Sequence, residues 1–201
     1  MNIGVLASHT GSTLQAVLDA CADRRISGRV AVVISNNSGA HALERARQAG
    51  VVAVHLSSHT HVDALALDVA IRDALKLANV DLVFLAGYVK RLGPCVLTEF
   101  QGRILNTHPA LLPKFGGEGM YGDRVFEAVL NAGETETGIS IHHVEVQYDT
   151  GTPIAQCRVP VLHGDSVETL KARVRDREKP FVVDTLAAIA AGRLRLAATA
   201  G

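Results

Sequence analysis

Charge of one sign is missing from this 201-residue chain, because its 20 basic and 20 acidic residues cancel. No basic stripe is visible, which excludes a nucleic-acid duplex as the main partner. Cysteine is scarce as well. Cys21, Cys95 and Cys157 are scattered, odd in number and without CxxC spacing, so they build neither a disulfide framework nor a zinc centre. They read as small buried hydrophobes in a reducing compartment. Long apolar runs are absent: the first, residues 3–7, is far too short for a signal peptide or a membrane span. Low-complexity tracts, internal repeats and a Pro/Gly/Ser-rich linker are lacking too, and with 48% hydrophobic residues disorder is excluded. These absences leave a soluble cytoplasmic protein, long enough for one large domain or two closely joined halves.

What is present is alternation. Residues 3–7, 30–34, 51–56, 80–86 and 102–106 read as short apolar strands. Between them Leu14, Val17, Leu18 and Cys21 recur at helical spacing, and a helix over 40–48 is stopped by Gly50. Thr60-His-Val-Asp63 resembles a capping box, with Val62, Leu65 and Val69 on one helical face. Continuous apolar strands between amphipathic helices imply a mostly parallel sheet with helices on both faces. Residues 138–146 and 153–161 are longer β-like runs joined by Asp149-Thr-Gly151, an antiparallel excursion in the C-terminal half. Asp165-Ser-Val-Glu168 then caps a long closing helix with Val167, Leu170 and Val174 on one face. The expected architecture is a single Rossmann-like α/β domain over 1–194. Residues 1–100 form a phosphate- or nucleotide-binding half, 101–194 a catalytic half, and 195–201 a frayed tail. Ligands of such sheets bind at the carboxyl ends of the strands.

Two segments fall at those ends. In Asn106-Thr-His-Pro-Ala-Leu-Leu-Pro113, side chains two apart share a face of extended chain, so Asn106 and His108 project together. An amide donor beside an imidazole suits stabilisation and protonation of a developing oxyanion. Asp149, on its turn downstream, would orient the imidazole and favour its charged form. The bland alternatives are a structural histidine and ordinary turn chemistry. In Ser8-His-Thr-Gly-Ser-Thr13, Gly11 permits close backbone approach, while Ser12 and Thr13 offer amides and hydroxyls to a phosphate. A plain capping turn has the same composition. The loop lacks the Lys of a triphosphate loop and the repeated glycines of a dinucleotide fingerprint, so a small monophosphate ester fits best. His55, His59 and His61 read as a solvated loop rather than a metal site. Of His142 and His143, at most one can face a site on one side of the sheet.

Together with Ala86-Gly-Tyr-Val-Lys-Arg-Leu92, Lys114-Phe-Gly-Gly-Glu-Gly-Met-Tyr-Gly122 and the run from His142 to Gly151, these segments resemble the folate-dependent phosphoribosylglycinamide formyltransferase family, over almost the whole chain. The resemblance implies transfer of a formyl group from 10-formyltetrahydrofolate to the amine of phosphoribosylglycinamide in de novo purine synthesis, without a metal. It implies a catalytic set of Asn106, His108 and Asp149, with His142 beside it. Phosphate and distal substrate contacts fall on Gly11, Ser12, Thr13 and Glu178. Folate would lie along Val89, Lys90, Arg91 and Leu92, against Asn106, and along Glu145, Val146, Gln147, Tyr148 and Asp149. Small-molecule substrates, no nucleic acid, no membrane, and a monomer or homodimer are what this implies for partners. Departures from the family pattern are His9 for a loop glycine, Thr13 for an asparagine, Ala64 for a basic residue, Phe126 for a histidine, and Lys179-Pro-Phe181 after Glu178. A formyltransferase for another amine, such as an amino-sugar nucleotide or an aminoacylated RNA, is the rival reading. A formylfolate hydrolase and a non-catalytic phosphate-binding relative are the others.

Overall fold

Strand alternation in a sheet covered on both faces needs apolar residues at every position, and the first strands supply them. The structure, a computed structural model, describes residues 1–146 and 149–196. The chain runs β1 (Asn2–Leu6), α1 (Ser12–Ala22), β2 (Arg29–Ser35), α2 (His41–Gln48), β3 (Val52–His55), α3 (Ala64–Leu77), β4 (Leu82–Leu85) and α4 (Pro94–Glu99). It continues β5 (Ile104–His108), α5 (Asp123–Asn131), β6 (Glu136–His143), β7 (Pro153–Pro160) and α6 (Val167–Ala190). All seven strands form one sheet in the order β3-β2-β1-β4-β5-β6-β7. The first five are mutually parallel, and β6 and β7 are antiparallel. The expected α/β class and the antiparallel excursion are both observed.

Ile3, Val5, Phe84 and Leu105 point to one face and are buried under α1, α2 and the later part of α6. Leu6, Ile34, Val83 and Ile104 point to the other and pack against α3 and α4. Gly4 on β1 lets that second layer close: an added Cβ would lie 2.6 Å from Leu75 Cδ2. A third cluster joins Phe126 and Val129 of α5 to Ile139, Val159, Leu170 and Val174.

Four local readings differ from the structure. Thr60 belongs to a turn with Ser57, and the N-cap of α3 is Asp63, whose carboxylate accepts from Ala66 N at 3.0 Å. Val62 and Leu65 are exposed; α3 instead buries Asp68, Ile71 and Leu75. The helix is turned this way because Asp68 accepts from Cys95 N at 2.6 Å and Val96 N at 3.3 Å. It thereby caps α4, whose own N-cap, Gly93, has no side chain to do so. The three cysteines are free and half-buried rather than buried. The capping box of α6 is formed by Ser166 and Thr169, and Asp165 instead holds Arg173 in two 2.7 Å bonds. Among the described residues no helix is long and apolar enough to cross a membrane. The expected tail lies outside them from residue 197 onward.

Candidate active site

In this strand order β1 connects outward to β2 on one side and neighbours β4 on the other, so a crevice opens at the carboxyl ends of β1 and β4. The chain between β1 and α1 turns at Gly11, where φ is 68° and an added Cβ would come within 2.9 Å of Ala42 Cα. That left-handed turn aims the start of α1 into the crevice, and no side chain caps the helix there. Gly11, Ser12 and Thr13 line a cavity of about 830 Å3, together with Thr107, His108, Phe126 and residues of α6. Glu178 of α6 reaches its floor, accepting from Thr13 Oγ1 at 3.2 Å and Thr107 Oγ1 at 3.4 Å. Burial pushes the Glu178 carboxyl above the usual range, against the pull of those hydroxyls and of nearby Arg175 and Lys179.

A second, smaller cavity of about 70 Å3 is lined by Leu85, Tyr88, Lys90, Arg91, Leu92, Asn106, His142, Glu145, Val146 and Asp149. Most of the expected folate residues are therefore brought together. Val89 is the exception: its side chain is exposed and does not line this cavity, while its amide donates to Ser8 Oγ. Gln147 and Tyr148 lie outside the described residues.

The titratable groups sit between the two cavities. The β5–β6 register sets Asn106 opposite His142, with Asn106 Nδ2 3.2 Å from His142 Nε2. The other ring nitrogen, His142 Nδ1, donates to the His143 carbonyl at 2.9 Å. Asp149, in the left-handed region at φ 54°, turns its carboxylate inward. Its Oδ1 lies 3.3 Å from His142 Nε2 and its Oδ2 3.4 Å from His108 Nδ1. Gly117 N–H braces the same oxygen at 3.0 Å. On the other side of the His108 ring, Nε2 bonds the Phe115 carbonyl at 2.7 Å, which fixes the proton on Nε2 and leaves Nδ1 as the basic nitrogen facing Asp149.

Burial lowers the His108 pKa below the usual histidine range, and the Asp149 carboxylate and Phe115 carbonyl push against it without winning. Asp149 was expected to raise it; its contribution has that sign, but the low-dielectric site outweighs it. The Asp149 carboxyl itself is raised by burial and lowered by its bond to His142, the His108 charge and the Gly117 amide, with a net fall below the usual range.

Sequence reasoning did not find several members of this arrangement. Phe115 and Gly117 act through backbone atoms, which carry no sequence signal. Lys171, Arg175 and Lys179 line the larger cavity from one stripe of α6, and their i, i+4, i+8 spacing was a usable signal. His142 faces the site; His143 points to the opposite face, buried, with both ring nitrogens unpartnered. Among the described residues no group of His, Cys, Asp and Glu is arranged for a metal. Phe126, in place of the family histidine, is buried in the third cluster at the cavity wall.

A family model described as formyl transferase matches residues 1–186. Phosphoribosylglycinamide formyltransferase of Haemophilus influenzae is 38% identical over 194 residues, covering 96% of this chain and 89% of its own. The Escherichia coli enzyme of the same name is 38% identical over 98% of this chain and 90% of its own. Among solved structures, glycinamide ribonucleotide transformylase 1 from Symbiobacterium toebii superposes with a TM-score of 0.89 at 42% identity, covering 97% of this chain and 90% of that one. With a family model matched over most of its length and relatives well above a third identical, the chain belongs to the formyl transferase family.

Proposed function

We propose that the protein transfers the formyl group of 10-formyltetrahydrofolate to the amine of phosphoribosylglycinamide, a step of de novo purine synthesis. The observation that carries this reading is one carboxylate, Asp149, set between His108 and His142 at the junction of two cavities. One cavity has the helix-start loop suited to a phosphate ester, and the other has an apolar wall of Leu85, Leu92, Leu97 and Val144 beside Asn106 and Asp149. The two relatives named for this reaction are similar across nearly the full chain.

The residues divide the chemistry as follows. His108, kept neutral by burial, takes a proton on Nδ1 from the amine nitrogen as that nitrogen bonds the formyl carbon. The carbonyl electron pair moves to oxygen, and Asn106 Nδ2 swings from His142 to donate to it. A donor of this kind is worth about 10²–10³ in rate. Asp149 steadies the imidazolium so formed. When the bond from carbon to the folate nitrogen breaks and its pair goes to that nitrogen, His108 returns the proton there. His142 holds Asn106 and Asp149 in place. Gly11, Ser12 and Thr13 receive the phosphate, Glu178 the distal part of the amine substrate, and Lys90, Arg91, Leu92, Glu145 and Val146 the folate. On this assignment residues 1–100 and 101–194 are halves of one unit, joined by β4–β5 pairing. Balanced charge supports small-molecule substrates rather than nucleic acid.

Purified protein, 10-formyltetrahydrofolate and a panel of amines, followed by folate absorbance, tests the assignment. Transfer to phosphoribosylglycinamide above all others is expected. Preference for an amino-sugar nucleotide or another amine would replace it.

A further inference from the structure

One buried hydroxyl ties the two cavities together. Ser8 lies just past β1 and is 1% exposed, where the ends of β2, β1 and β4 converge. Its amide donates to the Gly87 carbonyl at 3.2 Å. Its Oγ donates to Asn36 Oδ1 and accepts from Val89 N–H at 3.0 Å, which uses the hydroxyl as donor and acceptor at once. Asn36 is a firm anchor, because the turn after it is closed by Asn37 N to Ser35 Oγ and Gly39 N to Asn37 Oδ1. Downstream of Ser8 the chain becomes the Gly11–Thr13 wall of the larger cavity. On either side of Val89, Tyr88 and Lys90 line the smaller one.

We propose that Ser8 is a positioning residue that fixes the amine-substrate loop and the formyl-donor loop to each other, so that filling either cavity strengthens binding in the other. The inference rests on the preceding reading of the cavities as two substrate sites. A loop ordered by its ligand pays conformational entropy once. Because both loops share the Ser8 node, the first ligand to bind holds the node still and the second pays less. Linkage makes the effect equal in both directions. Without Oγ, Val89 N–H and Asn36 Oδ1 lose their partner at a part-buried position, and the donor loop is released from the phosphate loop.

The test is a grid of initial rates on the full chain, with 10-formyltetrahydrofolate and phosphoribosylglycinamide both varied. In the unaltered protein the KM for each substrate should fall about 5-fold or more as the other saturates. In Ser8→Ala that ratio should approach one, with both KM values raised roughly 5- to 20-fold and kcat within about 3-fold, since Ser8 contacts none of Asn106, His108 or Asp149. Ser8→Thr, which keeps Oγ, should recover the ratio, a result that lost packing alone would not produce. Should Ser8→Ala fail to fold, Asn36→Ala removes the anchor at a half-buried position and should reduce the ratio in the same direction. A ratio of one in the unaltered protein, or an unchanged ratio in the folded variants, overturns the proposal while formyl transfer stands. No formyl transfer to any amine would overturn the functional reading first, and this proposal with it.

Discussion

Asp149→Asn removes a charge from the site and little else. Asparagine has the same shape, tolerates the left-handed φ of 54° at this position, and can still accept from Gly117 N with its amide oxygen. The charge that goes lies 3.4 Å from His108 Nδ1 and 3.3 Å from His142 Nε2. Two unit charges at such a distance interact by roughly 5 kcal/mol at an effective dielectric near 20, which is a ceiling. Carboxylates this close favour a charged partner by about 1–4 kcal/mol in practice. In the proposed transition state His108 carries the proton, so most of that stabilisation is lost from the barrier. The expected fall in kcat is about 10²-fold. The pH dependence has a definite sign as well. Asp149 is the chief force opposing the effect of burial on His108, so its loss lowers the imidazole pKa further. The limb of the kcat–pH profile set by His108 then moves to lower pH. Stability should change in the complementary way. The depressed Asp149 carboxyl contributes stability above its unfolded pKa, and this is lost as pH falls through the folded value. The Asn variant lacks that contribution, so the Tm–pH curves of the two proteins should converge toward acid. A kcat within about 3-fold of the original, with an unmoved limb, would reduce Asp149 to a brace for Gly117 and remove the proposed proton path.

Three other outcomes are expected. Asn106→Ala and His108→Ala should each lower kcat by at least about 10²-fold at unchanged fold, as seen by circular dichroism; near-normal turnover in both would remove the oxyanion site. Ser12→Ala should raise KM for the phosphorylated amine and leave the folate KM nearly untouched, and equal handling of glycinamide riboside with and without its 5′-phosphate would take the phosphate away from this loop. His143→Leu should leave stability unchanged or raise it by about 1 kcal/mol, because both imidazole nitrogens are buried without partners. Burial holds the His143 pKa down, so the folded protein loses stability as pH falls through the histidine range, and the Leu variant should keep more of its Tm on that side.

The sheet was legible in the sequence because β2 and β4 are almost wholly apolar and β1 and the start of β5 largely so, the pattern of a doubly covered parallel sheet. Short α4 was not, since six residues carry too little periodicity and its cap comes from Asp68 on another helix. The same long-range bond explains the misjudged face of α3: inward Asp68 overrides the pattern of Val62 and Leu65. Asn106 and His108 could be paired by alternation alone. Their link to Asp149 could not, because it depends on the β5–β6 register that puts His142 opposite Asn106 and on a left-handed residue turning back across Gly117.

The amine-substrate side shows a different limit. Glu178 came only from family resemblance, since an acidic residue in the middle of a long polar helix has no local signature. The structure supplies its reason, which is that α6 passes over the carboxyl ends of β1 and β5 and sets the carboxylate between Thr13 and Thr107. Thr13 departs from the family asparagine, yet its hydroxyl still donates to Glu178. On the proposed reading, a phosphate held at the start of α1 also meets Arg175 and Lys179, which line the same cavity from α6. On the same reading that charge supports phosphate binding by a loop in which His9 replaces glycine.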